Sequence, residues 1–190
     1  MSEEPSRKQE LRSPPAAPGG KRQLHLTGFM GSGKSTVGQQ LARRLLWNFL
    51  DLDAVVARHA EKSVARIFAE GGEESFRAME SHVLRQLVKK PHTVVALGGG
   101  TLLDPRNREI CVQAATVVWL RCPLELLQLR CAEQAGERPL WGAADELAQR
   151  YEARLPGYRS ADLTIDAAGS PAEVAEAVLA ALGLASSSHG

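Results

Sequence analysis

The feature that most constrains this chain is a glycine-rich turn between a short strand and a helix. Residues 28–36 read GFMGSGKST and match the pattern G-x-x-x-x-G-K-[S/T]. The preceding QLHLT alternates as a strand does, and the following KSTVGQQLARRLL places Val37, Leu41 and Leu45 on one helical face. Such a turn directs backbone N–H groups toward one point beside a helix N-terminus. The context therefore predicts a site for the phosphates of a nucleotide.

Two polar side chains of this turn have predicted roles of their own. Lys34 would bridge the β- and γ-phosphates, and the Ser35 hydroxyl would bind Mg²⁺. A tight turn without a ligand would account for the glycines, but it would leave the Lys34-Ser35 pair unexplained. We therefore favour the nucleotide site.

The order of segments along the chain predicts a parallel α/β sheet. Apolar strand-like segments alternate with helical ones, which is typical of a sheet covered by helices on both faces. Two helix starts are marked by Asp104 before Pro105 and by Ser170 with Glu173 in capping-box order. One domain over residues 23–184 is expected. Its five predicted strands are QLHLT, NFLDLD, HTVVALGGG, TVVWLR and LTID.

Composition excludes several classes of protein. The chain has 190 residues, of which 44% are hydrophobic and 24% charged, as in ordinary globular domains. Residues 23–190 carry 18 basic and 19 acidic side chains, so they lack the positive field that nucleic-acid binding needs. No apolar run approaches the ~20 residues of a membrane span, and the N-terminus lacks the apolar stretch of a secretory signal. The three cysteines fit no zinc or redox spacing, so a cytoplasmic protein with free thiols is expected.

Both ends of the chain are predicted to lie outside the folded domain. Residues 1–22 contain four prolines, two glycines and scattered charges, with Leu11 as the one branched aliphatic side chain. Such a segment cannot bury enough apolar surface to offset its ordering entropy. Residues 1–22 are therefore expected to form a disordered tail, and residues 185–190 are expected to fray.

Two acidic residues lie near the end of the second predicted strand. Asp51 and Asp53 are two positions apart, so in a strand their side chains would share one face. Ligands bind at the carboxyl ends of strands in this architecture. One carboxylate could hold a hydrated Mg²⁺, while the other orients or deprotonates an acceptor hydroxyl. The alternative is a solvated strand end at which the two acids have no chemical role.

Several separate segments together resemble the shikimate kinase family. They are GFMGSGKSTVG, FLDLD, SVARIFAEGGEESFRAMES, VVALGGGT, ERPLW and RLPGYRSADL, in this order between about Leu24 and Leu182. The resemblance implies a P-loop kinase fold: a five-stranded parallel sheet with helices on both faces and a lid at about residues 134–144. It also implies ATP-dependent phosphorylation of shikimate at its 3-hydroxyl, giving shikimate 3-phosphate and ADP, in the chorismate route to aromatic amino acids.

The resemblance assigns roles to individual side chains. Arg138, on the lid, joins Lys34 and Asp53 as catalytic residues, and Mg²⁺ is implied at Ser35 and Asp51. Arg77 and Arg154 would grip the shikimate carboxylate. ATP contacts are implied at Gly31, Ser32, Gly33, Lys34, Ser35, Thr36, Arg130 and Arg138. Shikimate contacts are implied at Asp53, Phe68, Phe76, Arg77, Glu80, Gly98, Gly99, Gly100 and Arg154.

Several of these positions have a plainer interpretation. Arg77 lies four residues after Glu73, so the pair could be an ion pair on a helix surface. Phe68 and Phe76 could be core residues, and the glycine triplet could be a simple turn.

Two other functions compete with the shikimate assignment. One is a gluconate or nucleoside-monophosphate kinase on the same fold, and the other is a nucleotide-binding regulator without catalysis. The joint presence of Lys34, Asp51, Asp53 and Arg138 favours an enzyme. We expect a monomer that acts on a small molecule and binds neither nucleic acid nor membranes.

Overall fold

All five strands run parallel in one sheet. They are β1 (Gln23–Thr27), β2 (Asn48–Asp51), β3 (Thr93–Ala96), β4 (Thr116–Arg121) and β5 (Leu163–Asp166). Their order in the sheet is β2-β3-β1-β4-β5, and the crossovers between neighbours contain helices. The predicted fold class is confirmed.

The helices lie on both faces of this sheet. The computed structural model describes residues 20–135 and 144–184. Ser63, Asp104 and Ser170 cap three of the helices through their side chains, and Ser170 forms the predicted capping box with Glu173. The helices are α1 (Lys34–Leu45), α2 (Leu52–His59), α3 (Val64–Leu87), α4 (Pro105–Ala114), α5 (Leu124–Ala135), α6 (Ala144–Tyr158) and α7 (Pro171–Ala181), with one 3₁₀ turn at Thr101–Leu103.

The central strand β1 is buried along its whole length. Leu24 and Leu26 pack in the core that α1 and α7 cover. The polar residues that alternate with them, Gln23, His25 and Thr27, are buried as well. His25 contacts the Gln23 side chain, with 2.9 Å between its Nε2 and the amide oxygen, and burial lowers its pKa to about 3. His25 is therefore neutral at physiological pH. The alternation in QLHLT marks a strand but no solvent-facing side, because helices cover both faces of the sheet.

The acidic pair does not lie in one strand. The second predicted strand included Asp53, whereas β2 ends at Asp51 and Asp53 lies in the first turn of α2. The Asp51 carboxylate accepts a hydrogen bond from the Ala54 N–H at 3.3 Å, and this cap starts the helix directly at the strand end. The shared-face argument for Asp51 and Asp53 was therefore wrong, although both residues line the same cavity.

Parts of the predicted tail, lid and C-terminus fall in residues 1–19, 136–143 and 185–190, which lie outside the described residues. Two residues of the predicted tail nevertheless contact the domain. The Lys21 ammonium donates to the Ala115 carbonyl at 2.8 Å, and the Arg22 carbonyl accepts from the His92 N–H at 2.6 Å. The domain therefore begins before Gln23. Within residues 20–135 and 144–184, no helix has the length and apolar character needed to cross a membrane.

Candidate active site

A cavity of about 480 Å³ opens where β1, β2 and β3 end. This volume is within the usual range for small-molecule sites. The glycine-rich loop after β1 forms one side of the cavity, and the glycine triplet after β3 forms another. Charged side chains from α2, α3 and α6 complete it. The polar and charged lining includes Lys34, Ser35, Asp51, Asp53, Arg77 and Arg154.

The loop after β1 forms an anion-binding turn. Gly31 and Gly33 adopt left-handed backbone conformations, with φ of 77° and 85°, and Gly33 directly precedes α1. The first amides of α1 thus face the cavity without a side-chain cap. Lys34 donates to the carbonyls of Gly28 and Phe29 at 2.8 and 2.9 Å, which folds its ammonium back along the loop.

Burial lowers the pKa of Lys34 to about 8, against the opposing effect of the Asp53 and Asp51 carboxylates. A polyphosphate in the loop would favour the charged ammonium, because an adjacent anion raises the pKa of a lysine.

Ser35 and Asp51 contact each other across the mouth of this loop. The Ser35 hydroxyl donates to Asp51 Oδ2 at 2.7 Å. A hydroxyl and a carboxylate are hard oxygen donors, and Mg²⁺ in phosphate sites takes one or two such protein ligands with the rest from phosphates and water. This donor pair fits Mg²⁺.

Asp53 is the carboxylate in the cavity whose pKa departs clearly from its ordinary value. Its Oδ1 is buried without a hydrogen-bond partner among the residues that the structure describes. The pKa of Asp53 is raised from 3.8 to about 6, chiefly by burial and also by the carboxylates of Glu80 and Asp51, against the opposing effect of Lys34 and Arg77. A carboxylate poised near neutral pH and directed into a cavity is suited to accepting a proton.

The two predicted arginines differ in their partners. Arg77 donates to Glu80 Oε2 at 2.8 Å, and its Nε and Nη2 donate to Glu73 Oε1 at 3.3 and 3.1 Å. The surface ion pair that sequence offered as the alternative therefore exists, yet Arg77 also lines the cavity. The Arg154 guanidinium lies 5.3 Å from the ring centroid of Phe29, and no carboxylate within residues 20–135 and 144–184 forms an ion pair with it.

The glycine triplet lets these charged groups approach the backbone. A Cβ on Gly99 would lie 2.6 Å from Arg154 Nη1, and one on Gly100 would lie 2.5 Å from Arg77 Nη2. A Cβ on Gly98 would lie 2.8 Å from Asp53 Oδ1. Any side chain here would push a charged group out of place. The triplet is therefore a wall of the cavity as well as a turn.

Two residues that support this wall were not identified from the sequence. The Tyr158 hydroxyl donates to the Gly99 carbonyl at 2.8 Å, and the Tyr158 ring stacks on Trp119. The Thr101 hydroxyl donates to Glu80, whose carboxylate is fully buried. Tyr158 lies four residues after Arg154 in RLPGYRS, so helical spacing could have placed both on one face. Thr101 directly follows the triplet, but nothing in the sequence pairs it with Glu80.

The remaining predicted residues lie at the edges of the site. Phe68 and Phe76 stack with ring centroids 4.8 Å apart at the cavity, with Phe76 buried and Phe68 38% exposed. Arg130 lies beside a second cavity of about 220 Å³ that Gly31, Ser32, Gly33 and Thr36 also line. Its guanidinium donates to the carbonyls of Ala167 and Ala168 at 2.9 Å, which ties α5 to the loop before α7. Arg138 lies outside the described residues.

The fold and the site define a class of protein. A phosphate loop follows the central strand of a parallel sheet, and this loop lines one charged cavity at the carboxyl edge of the sheet. This is the arrangement of a P-loop kinase that phosphorylates a small molecule.

Comparison with known proteins identifies the family. The family model for shikimate kinase matches residues 30–183. A shikimate kinase from Geobacter sulfurreducens is 43% identical over 161 residues, which cover 83% of this chain and 88% of the relative. The solved structure "Shikimate kinase from Acinetobacter baumannii in complex with shikimate" matches with a TM-score of 0.77 at 35% identity, over 84% of this chain and 91% of that one. The chain belongs to the shikimate kinase family.

A gluconokinase from Sinorhizobium meliloti has a related structure. It matches with a TM-score of 0.63 at 21% identity, over 85% of this chain and 91% of that one. At this identity the likeness shows a common fold and nothing more. The gluconate alternative therefore gains no support from it beyond the fold.

The raised pKa of Asp53 predicts that this residue destabilises the folded protein at neutral pH. Ionising Asp53 in the folded protein lowers the free energy of unfolding. This loss develops as the pH rises from about 4 to about 6 and is complete above that. We expect Asp53→Asn to stabilise the protein at pH 8 by about 1–2 kcal/mol, or about 3–6 °C in Tm. The gain should vanish at pH 4. Thermal unfolding at both pH values measures it.

Asp104 provides the matched control for that substitution. A hydrogen bond from the Arg106 side chain holds the pKa of Asp104 below its ordinary value, so its charged form favours the folded state. Asp104→Asn should therefore give no gain at pH 8. The electrostatic argument would be contradicted if Asp104→Asn stabilised the protein at pH 8, or if Asp53→Asn did not.

Proposed function

We propose that this protein transfers the γ-phosphoryl group of ATP to the 3-hydroxyl of shikimate, forming shikimate 3-phosphate and ADP. One observation carries the proposal: a single cavity is lined by the phosphate loop, by Arg154 and by Asp53, whose buried Oδ1 has no hydrogen-bond partner among the described residues. Membership of the shikimate kinase family supports the choice of acceptor, and the family uses ATP.

On the donor side, this chain's residues bind and orient the phosphates. The amides of the loop and of the first turn of α1 would hold the β- and γ-phosphates, and Lys34 would turn from the Gly28 and Phe29 carbonyls toward them. Ser35 and Asp51 would hold Mg²⁺, which when bound neutralises part of the phosphate charge. Arg130 would lie beside the adenine, since it borders the second cavity behind the loop.

On the acceptor side, charge and shape would select a small anion. Arg154 and Arg77 lie on α6 and α3 at the glycine wall, so a carboxylate between them would receive hydrogen bonds from both guanidinium groups. The Phe68–Phe76 pair would pack against the carbon ring of the acceptor. Glu80, buried and bonded to Arg77 and Thr101, would hold Arg77 in place.

The transfer itself requires one proton acceptor. As the 3-oxygen forms its bond to the γ-phosphorus and the bond to the bridging oxygen of ADP breaks, the hydroxyl proton would move to Asp53. Lys34 would stabilise the charge that shifts onto the phosphate oxygens. Arg138 stays a predicted catalytic residue on the basis of the resemblance.

We also place this enzyme in the cytoplasm, as a monomer. Cys111, Cys122 and Cys131 are free thiols and all are buried, which suits a reducing compartment.

An acceptor comparison tests the proposal directly. ADP release should be measured with shikimate, gluconate, AMP and CMP under identical conditions. We expect turnover with shikimate that exceeds turnover with each of the others by at least about tenfold, because two arginines and a compact apolar wall suit a carboxylate on a small ring. Faster turnover with gluconate or with a nucleotide would reassign the acceptor, and ATP binding without transfer to any of them would indicate a regulator.

The role of Asp53 predicts a pH dependence. Its carboxylate must be deprotonated to accept the hydroxyl proton, so kcat/KM for shikimate should fall about tenfold per pH unit below about pH 6. Asp53→Asn should lower kcat by about 10²–10⁴ while shikimate still binds. An acid limb near pH 4, the ordinary range of an aspartate, or near-normal turnover in the variant, would remove Asp53 from the catalytic residues.

Arg154 is predicted to supply most of the attraction for the acceptor carboxylate, because no protein carboxylate in the described part of the chain neutralises it. Arg154→Ala should raise the KM for shikimate about 30-fold or more with little change in the KM for ATP, and Arg154→Lys should recover part of the loss.

Arg150→Ala, one helical turn earlier on α6 and exposed, is the matched control and should leave both KM values unchanged. The KM for an analogue of shikimate without its carboxylate should be the same in the Arg154 variants as in the wild type. Equal losses for the two acceptors would show that Arg154 supports the fold instead.

A further inference from the structure

Arg77 is already occupied by two protein carboxylates when no acceptor is bound. One of them, Glu80, is fully buried and accepts from Arg77 Nη1 at 2.8 Å. The other, Glu73, accepts from both Nε and Nη2 through a single oxygen, at 3.3 and 3.1 Å. The Nε–Nη2 edge is one of the two edges at which a guanidinium binds a carboxylate in parallel. Glu73 therefore occupies a position that a substrate carboxylate could use.

The two carboxylates differ in how firmly the protein holds them. Glu80 also accepts a hydrogen bond from the Thr101 hydroxyl and has no exposed surface. The Glu73 side chain is 70% exposed, and within residues 20–135 and 144–184 its one hydrogen-bonding partner is Arg77. An exposed pair at this i, i+4 spacing on a helix is weak and is easily exchanged. Glu80 is thus a fixed brace, and Glu73 is a replaceable partner.

The backbone beside Glu73 allows its side chain to move away. α3 consists of two helical segments that meet at Gly72, where φ is 69° and ψ is −175°. Glu73 is the first residue of the second segment. Apart from its chain neighbours, nothing lies within 4 Å of the place where a Cβ on Gly72 would stand, so the space beside this junction is open, and the Glu73 side chain itself is largely exposed. Once Arg77 no longer binds it, the Glu73 carboxylate can therefore turn into solvent.

We propose that Glu73 is a resident carboxylate that holds Arg77 in the free enzyme, yields it to the carboxylate of the acceptor, and thereby lowers the affinity of the enzyme for an anionic acceptor. This inference rests on the proposed function, because it requires an acceptor with a carboxylate. An uncharged acceptor cannot replace Glu73 on Arg77, whereas an anionic one can. Arg154, which has no such partner in the described part of the chain, would make the first contact.

The inference predicts a substitution that improves acceptor binding. Glu73→Gln keeps the length of the side chain but removes the charge that competes for Arg77. We expect the KM and the calorimetric Kd for shikimate to fall about two- to five-fold, with kcat and the KM for ATP unchanged. The gain should shrink in 1 M salt, because the interactions of an exposed charge are screened there. Glu73→Ala should change binding in the same direction.

Glu74→Gln is the matched control. It removes the same charge one position along the exposed face, and Glu74 forms no hydrogen bond or ion pair with Arg77 in the described part of the chain. We expect it to leave the KM for shikimate unchanged. An equal gain in Glu74→Gln would mean that net charge, and not competition for Arg77, sets the affinity, and would overturn the inference.

Other outcomes separate this inference from the proposed function. Suppose that the wild type phosphorylates shikimate and that Glu73→Gln leaves the KM for shikimate unchanged or raises it. Glu73 then has no effect on acceptor binding or helps to position Arg77, and only the inference fails. A gain that appears equally with a shikimate analogue lacking the carboxylate would also refute it. If the wild type neither binds nor phosphorylates shikimate, both proposals fail. Thermal unfolding within about 1 °C of the wild type confirms that the variants are folded.

Discussion

The pairing of β3 with both of its neighbours brings the parts of the active site together. Ala96, the last residue of β3, lies opposite Leu26 of β1 on one side and Asp51 of β2 on the other. The phosphate loop, the acidic residues and the glycine triplet each follow these positions within a few residues. A shift in this register would separate the loop from the acids, since each residue along a strand spans about 3.3 Å. Every distance in the cavity depends on these two ladders.

Charge is the second constraint, because five ionisable side chains line one cavity and two further carboxylates, Glu73 and Glu80, pair with one of them. Lys34, Arg77 and Arg154 share the cavity with Asp51 and Asp53, and the consequences differ from group to group. Arg77 is neutralised by two partners, Arg154 by none in the described residues, and Asp53 keeps a buried oxygen without a partner. The free enzyme therefore holds unsatisfied charge where donor and acceptor would meet. Such sites commonly exchange stability for function.

Local signals predicted the elements of the fold well but misjudged one junction. Periodicity and caps identified the five strands and the helix starts at Pro105 and Pro171, since these depend on neighbouring residues alone. The end of β2 was placed two residues too far, because FLDLD alternates like a strand while the Asp51 carboxylate caps a helix that begins at once. When a helix begins directly after a strand, as at Asp51, the sequence pattern does not show where the strand ends and the helix cap begins.

The sequence by itself determined the phosphate loop, the parallel fold and the set of chemically active side chains, because each follows from residue types at short fixed spacings. Only the tertiary structure decided which of these side chains meet. It joined Thr101 to Glu80 and Tyr158 to Gly99, and it gave Arg77 two carboxylates while leaving Arg154 with an aromatic ring. The physical reason is that hydrogen bonds and desolvation act over a few ångströms between elements far apart along the chain. Their partners are fixed by packing rather than by spacing in the sequence.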